Sequence, residues 1–375
     1  MNQHATQNLT LFDLLARSWL RPSAVADLRF SADGSAVAFA CVDGTVALAA
    51  VADQEPPESR IRVSGDLGQT TIRPREKPSP PLIATASLGD GDVPLASHGH
   101  SGFLVGSSAG DAVHLTSQGE TAETMVKIDG PIVAMDHSPR TAVTALSNGR
   151  EVFLSPGQGD ATRLHGGTVP YPDTLAFSPD GRHLACGGEN RLAVWMTDGK
   201  AGPICEFWLA ARPTTIRWSG DGTWLACGLE TGGFALVDMT DGQSGHVNGF
   251  PFPVRTVCWS TPVNALFASG AFRIAGWSMA APPLDGQSSG ALETGRTGLV
   301  PVETVAAHPE KKLIAAGYAN GRIVISQIGS PDELLVRHLG GAVTALAWSS
   351  NGRHLAVGAV DGMAAIVTFP AQMFK

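Results

Sequence analysis

A segment of about fourteen residues recurs close to every 41 positions in this chain, and no other feature limits its possible folds so strongly. Its clearest copies are residues 175–188 (LAFSPDGRHLACGG), 216–229 (IRWSGDGTWLACGL) and 346–359 (LAWSSNGRHLAVGA). A fixed period near 40 residues belongs to repeat architectures, in which neighbouring units share one continuous core. Anchoring each unit on the position before its first turn gives Phe30, Ser97, His137, Phe177, Trp218, Trp259, Ala307 and Trp348. Eight units follow, with extra residues after the first and the sixth. Seven is the alternative count, if the weakest unit (residues 102–115) is only an elaborated connection.

Within a unit the local physics is legible. A short apolar run such as Val343–Trp348 ends at Asp33-Gly34, Asp180-Gly181, Asp221-Gly222 or Asn351-Gly352. These pairs tolerate positive φ and mark tight hairpins. A second run follows, then a second turn at Asp43-Gly44, Asn148-Gly149, Asn320-Gly321 or Asp361-Gly362, then a third run. The dozen or so residues left in each unit suffice for a fourth, outer strand. Both faces of the inner runs are apolar or small, as in sheets covered on both sides.

Four-stranded units of this length describe blades around an axis. On the Ser178-Pro179-Asp180-Gly181 turn and its relatives, the chain resembles the WD-repeat β-propeller family. The resemblance implies an all-β fold: a single β-propeller of four-stranded antiparallel blades spanning residues 1–375. The Trp-Asp pair that names the family is missing; Trp195 and Trp277 keep only the tryptophan. The family's Asp-His-Ser/Thr-Trp hydrogen-bond network therefore cannot be carried over, and packing is expected to hold these blades. The last unit has room for only three strands, and a ring would leave its edge open. Residues near 15–21 are expected to supply the missing strand, preceded by a short helix at residues 9–15.

Composition narrows the function classes. A net charge of −8 disfavours non-specific nucleic-acid binding, which needs a cationic field. Five cysteines without a C-x-x-C pair read as buried thiols in a reducing compartment. The polar N-terminal residues carry no secretory signal pattern, and no apolar run is long enough to cross a membrane. A cytoplasmic location, no cofactor, no nucleic acid and no membrane are the expectations.

Candidate chemistry is sparse. Gly106–Gly110 matches the G-x-S-x-G pattern, but between two strands it lacks the strand-to-helix elbow that exposes a nucleophile. His98-Gly99-His100 could present two imidazoles, yet spacing marks no third ligand, and a surface turn is the simpler reading. His183 with His354, and Cys186 with Cys227, recur at equivalent positions and so read as packing. His137 and His308 read as turn-stabilising. The first strands contribute Asp27, Arg29, Asp136, Asp173, Arg217, Arg255 and Glu303 as candidates to line a central channel. Residues 53–92 form an inserted loop whose Arg60, Arg62, Arg73, Arg75 and Lys77 read either as an arm for an acidic partner or as a solvated loop. Residues 280–300 read as a flexible insertion.

The expected function is a non-catalytic protein-interaction scaffold. Its contact face would be the rim where the strands begin, with the 53–92 arm beside it and a protein partner of unknown identity. The alternatives are a propeller hydrolase or lyase using channel carboxylates, and a small-ligand sensor in the same channel.

Overall fold

A computed structural model describes residues 9–63, 70–157, 160–166, 169–198, 202–285 and 290–374. Residues 1–8 of the polar N-terminal stretch, 64–69 of the first insertion and 286–289 of the second lie outside the described residues. The chain is all-β, with eight four-stranded antiparallel sheets. The first, second, third and outer strands of blade 5 show the plan: Pro213–Trp218, Trp224–Leu229, Gly233–Asp238 and Ser244–Asn248. The weakest unit is a full blade, with strands Leu95–His98, Gly102–Gly106, Asp111–Leu115 and Thr121–Lys127. Seven blades is thereby excluded.

Each first strand touches the first strand of the next blade, and the eighth returns to the first, so the ring is closed. Residues 16–20 complete it. After a one-turn helix (Leu11–Leu15), Ala16–Leu20 pairs antiparallel with the last strand, Ala16 opposite Val367 and Leu20 opposite Met363. Arg21 N–H continues the ladder to Gly362 O at 2.7 Å. The edge foreseen in the sequence is thus covered from the other end of the chain.

The core is not one mass but eight apolar clusters, one per junction between blades. Strand geometry explains this: successive side chains point to opposite faces. Leu225, Cys227 and Leu229 pack towards blade 4, while Ala226 between them packs towards blade 6. Cys186 and Cys227 lie in this packing; burial pushes the Cys227 thiol up to about 12, and all five cysteines are free.

Packing is not the whole account, and here the sequence expectation needs correction. In four blades the serine before the first turn both accepts and donates. Ser219 Oγ accepts from Trp224 N–H at 2.9 Å and donates to Asp221 Oδ1 at 2.6 Å. Ser31–Asp33, Ser178–Asp180 and Ser349–Asn351 repeat the arrangement. In blade 7 the imidazole of His308 stands in: Nδ1 accepts from Glu310 and Lys311 N–H, and Nε2 meets Gly352 O of blade 8 at 3.1 Å. Tryptophan indoles tie blades together as well, Trp218 to Ala176 O, Trp259 to Arg217 O and Trp348 to Ala306 O. A different polar network has replaced the one whose residues are missing.

The insertion after the third strand of blade 1 is built rather than loose. Ile61–Val63 and Thr70–Ile72 form a hairpin, and Ile83–Ala84 is that blade's outer strand. Ala291–Thr294, within the second insertion, is likewise the outer strand of blade 6.

Candidate functional site

First strands run from an upper face, which carries the connections between blades and the turns between second and third strands, to a lower face with the Ser-x-Asp-Gly turns. Of the sequence-derived channel residues, Asp27, Arg29, Asp173, Arg217 and Arg255 line one cavity, and Asp136 and Glu303 do not. This cavity of about 420 Å³ near the upper end of the channel is lined by Asp27, Arg29, Asp92, Asp173, Arg217 and Arg255, with five threonines among its other walls. Arg29 and Arg217 stand on blades 1 and 5, opposite each other in an eight-membered ring. Asp136 comes from blade 3, midway between them.

Except for exposed Asp92, each carboxylate here already has a hydrogen-bonding role. Asp27 pairs with Arg29 at 3.0 Å, and Glu303 pairs with Arg255 of the preceding blade at 3.0 Å. Asp173 accepts from Arg212 Nε at 2.6 Å, while its Oδ1 is buried without a hydrogen-bond partner. Asp136 accepts from the backbone N–H of His137 and of Phe177 in the next blade, at 2.9 and 2.7 Å. Burial raises the pKa of Asp136, opposed by those N–H groups and by Arg29 and Arg217. Arg217 reaches channel solvent, yet protein surrounds its guanidinium; desolvation and the facing Arg29 lower its pKa. The arrangement holds charges in balance across the ring. Among the described residues no three His, Cys, Asp or Glu side chains are grouped to hold a metal ion.

The basic residues of the inserted arm are placed otherwise than the sequence reading had them. The arm leaves the third strand of blade 1 at the lower face, not beside the upper rim. Arg60 is only 1% exposed and donates to Glu55 O and Arg73 O. Arg75 is bonded to the buried Asp53 at 2.6 and 3.1 Å, and Arg73 to Glu76 at 3.1 Å. Of the five, Arg62 and Lys77 are exposed. The arm grips the closing strand: Arg17 donates to Val51 O and Ala52 O, Trp19 Nε1 to Pro80 O, and Glu58 pairs with Arg353 of blade 8. Its arginines organise a clasp over the joint between the two ends of the ring.

His98 is no simple surface turn residue. Gly99 and His100 are exposed, but His98 lies half-buried beside His114 and His137, with ring centroids 5.1 and 4.8 Å apart. Its Nδ1 is buried and unpaired. His114, two strands away in the same blade, was missed because nothing in its spacing distinguishes it. Ser108, the serine of the G-x-S-x-G match, is exposed in a hairpin turn, where the neighbouring Ser107 Oγ accepts from Asp111 N–H, with no helix behind it.

The feature least visible in the sequence is the surface apolar distribution. Exposed Val42, Val133, Tyr171, Phe252, Phe272, Leu299, Leu339 and Val360 all lie on connections of the upper face. Among the described residues, Met196 and Ile204 compare on the lower face, Leu9 precedes the helix that leads into the closing strand, and Leu20, Ile83 and Trp208 lie on outer strands. Leu299 is 93% exposed, and Tyr171 is 66% exposed at a φ of 47°. Non-glycine residues enter that region at a cost.

The family described as "WD domain, G-beta repeat" matches at residues 165–195 and 330–366, within blade 4 and across blades 7 and 8. No curated protein matches the chain. Among solved structures, the crystal structure of the computationally designed Ika8 protein superposes with a TM-score of 0.65 at 18% identity, over 93% of this chain and 98% of that one. That likeness concerns the fold. No described helix is long and apolar enough to cross a membrane. Eight closed blades, with the matched repeats among them, make this chain a WD-repeat β-propeller.

Proposed function

We propose that the protein is a non-catalytic interaction scaffold whose upper face binds a protein partner. One observation carries this reading: the exposed large apolar side chains gather on the upper connections. Contiguous exposed apolar area marks interaction surfaces, whereas single scattered residues do not. The rigid ring beneath supplies a fixed geometry, and connections between blades are free to vary without disturbing the packed junctions. Channel-based hydrolysis has less support, because a general acid and base need a pair of freely disposed carboxylates, and of those in the cavity Asp27 and Asp173 hold arginines, which leaves Asp92 alone. The reading places the protein away from nucleic acid and membrane, in the cytoplasm and without a cofactor.

The test compares three tagged forms recovered from the native host and analysed by mass spectrometry: the unaltered chain, an upper-face variant (Phe272→Ser with Leu299→Ser) and a lower-face variant (Met196→Ser). A partner kept by the first and third and lost by the second is the expected result. Recovery of the same proteins by all three would defeat the assignment.

A further inference from the structure

Charge is uneven over the upper face. Its connections in blades 1–4 expose Asp43, Asp90, Asp92, Asp129 and Glu189, with Arg150 among them. The sector from blade 5 to blade 7 exposes Glu230 but is richer in arginines. Arg255 and Arg322 are held by Glu303 and Glu333, at 3.0 and 2.8 Å. The guanidinium groups of Arg273 and Arg296 have no hydrogen-bond or ion-pair partner among the described residues.

Arg273 lines an apolar groove, and Arg296 lies on the connection after the outer strand of blade 6. The groove of about 330 Å³ between blades 5 and 6 is lined by Phe250, Pro251, Ala271, Arg273 and Trp277. Trp277 forms its floor, 7% exposed, with the Phe250 ring centroid 6.1 Å away. Phe252 and Phe272 meet edge to face at 5.4 Å beside it. Backbone bonds fix the rest: Phe252 N–H to Gly270 O, Gly298 N–H to Phe272 O and Val302 N–H to Ala271 O, which sets Arg296 and Leu299 next to the aromatic pair. Glu293 shares the strand face of Arg273 but makes no ion pair with it.

We propose that this sector docks an acidic linear segment of a partner protein, with one aromatic or branched aliphatic side chain seated in the groove on Trp277 and carboxylates met by Arg273 and Arg296. The inference rests on the upper-face scaffold reading and narrows it to one sector and one ligand chemistry. Unpaired arginines beside an apolar groove offer charge-assisted hydrogen bonds at the edge of a desolvated anchor. The carboxylates on blades 1–4 repel the same ligand and so orient it.

The test selects random twelve-residue peptides by display against the full chain, then measures binding of the selected synthetic peptides by fluorescence anisotropy. Three proteins are compared: the unaltered chain, R273Q/R296Q and Y171S, each checked for an unchanged melting temperature. Selected peptides should carry Asp or Glu around a single large apolar residue. Affinity should fall roughly tenfold or more in R273Q/R296Q, weaken with added salt, and persist in Y171S. Selection of basic peptides, or equal affinity for R273Q/R296Q and the unaltered chain, would overturn the sector assignment. If Y171S alone lost binding, the upper face would remain the site and this sector would not. If neither variant mattered, the upper-face reading would fall with it.

Discussion

The two faces of the ring are built from the same strands and behave as opposites. On the lower face, one side-chain arrangement recurs from blade to blade: serine, acceptor, glycine at positive φ, next strand. Its polar atoms satisfy each other, and the carboxylates are stabilised as anions. Asp33 is held down to about 2, chiefly by the Ser31 hydroxyl and then by Ser35 N–H. On the upper face, connections differ in length and residue type, apolar side chains are exposed, and Arg273 and Arg296 have no side-chain partner among the described residues. Repetition marks what folding requires of every blade. Departure from repetition, on a face where folding asks for nothing, marks what a partner requires.

That contrast can be broken by experiment, beginning where the effect should be greatest. Removing residues 1–21 strips the closing strand and uncovers the edge of Met363–Thr368. The melting temperature should then drop on the order of ten degrees or more, as read by circular dichroism; an unchanged transition would mean that closure is not structural. Next comes the clasp. Arg75→Ala leaves the Asp53 carboxylate with Glu55 N–H and the more distant Arg17 and should cost about 3 kcal/mol in urea unfolding. Burial alone would raise the pKa of Asp53, but Arg75 and Glu55 N–H outweigh it, so the net shift is downward. The clasp is therefore strongest above the unfolded carboxylate value and weakens as pH falls through the lower folded one.

On the lower face, Ser219→Ala removes an acceptor for Trp224 N–H and a donor to Asp221, and should cost about 1–3 kcal/mol. The histidine cluster should give a smaller, pH-dependent effect. Burial, then His98, pushes His137 down to about 4, below the ordinary histidine value near 6.5. The folded state keeps this imidazole neutral, so the unfolded chain binds more protons as pH drops from about 6.5 towards 4. Stability should decline across that window, and His137→Asn should flatten the decline in the urea midpoint. A slope unaltered by the substitution would place the titration elsewhere. Smallest of all should be the upper-face changes: Phe272→Ser should shift stability by no more than about 0.5 kcal/mol. A large loss there would show that the exposed ring serves the fold and would erase the contrast between the faces.

Much of the architecture was legible because its causes are local. Asp180-Gly181 and its counterparts report a tight turn from two residues, and alternation along Trp224–Leu229 reports a doubly covered strand. Even the remote partner of Ala16–Leu20 could be inferred, since a three-stranded last unit needs a fourth strand. Arg60 and Arg75 were misplaced for the opposite reason. A run of arginines and prolines looks the same whether the guanidinium groups face water or carbonyls, and only the fold of residues 51–82 across blades 1 and 8 decided that. His114 was missed because it meets His98 across the intervening strand of the same blade, a register that only the folded sheet sets.

The chain's own order of residues determined the period, the turns, the strand count and the closing strand, because backbone conformation and side-chain alternation act over a few neighbours. The tertiary structure alone decided that Arg29 would face Arg217 across a channel, that the inserted arm would clasp the joint, and that scattered Phe252, Phe272 and Leu299 would share one surface. Those relations are set by the angle between blades and the closure of the ring, which join positions dozens to hundreds of residues apart.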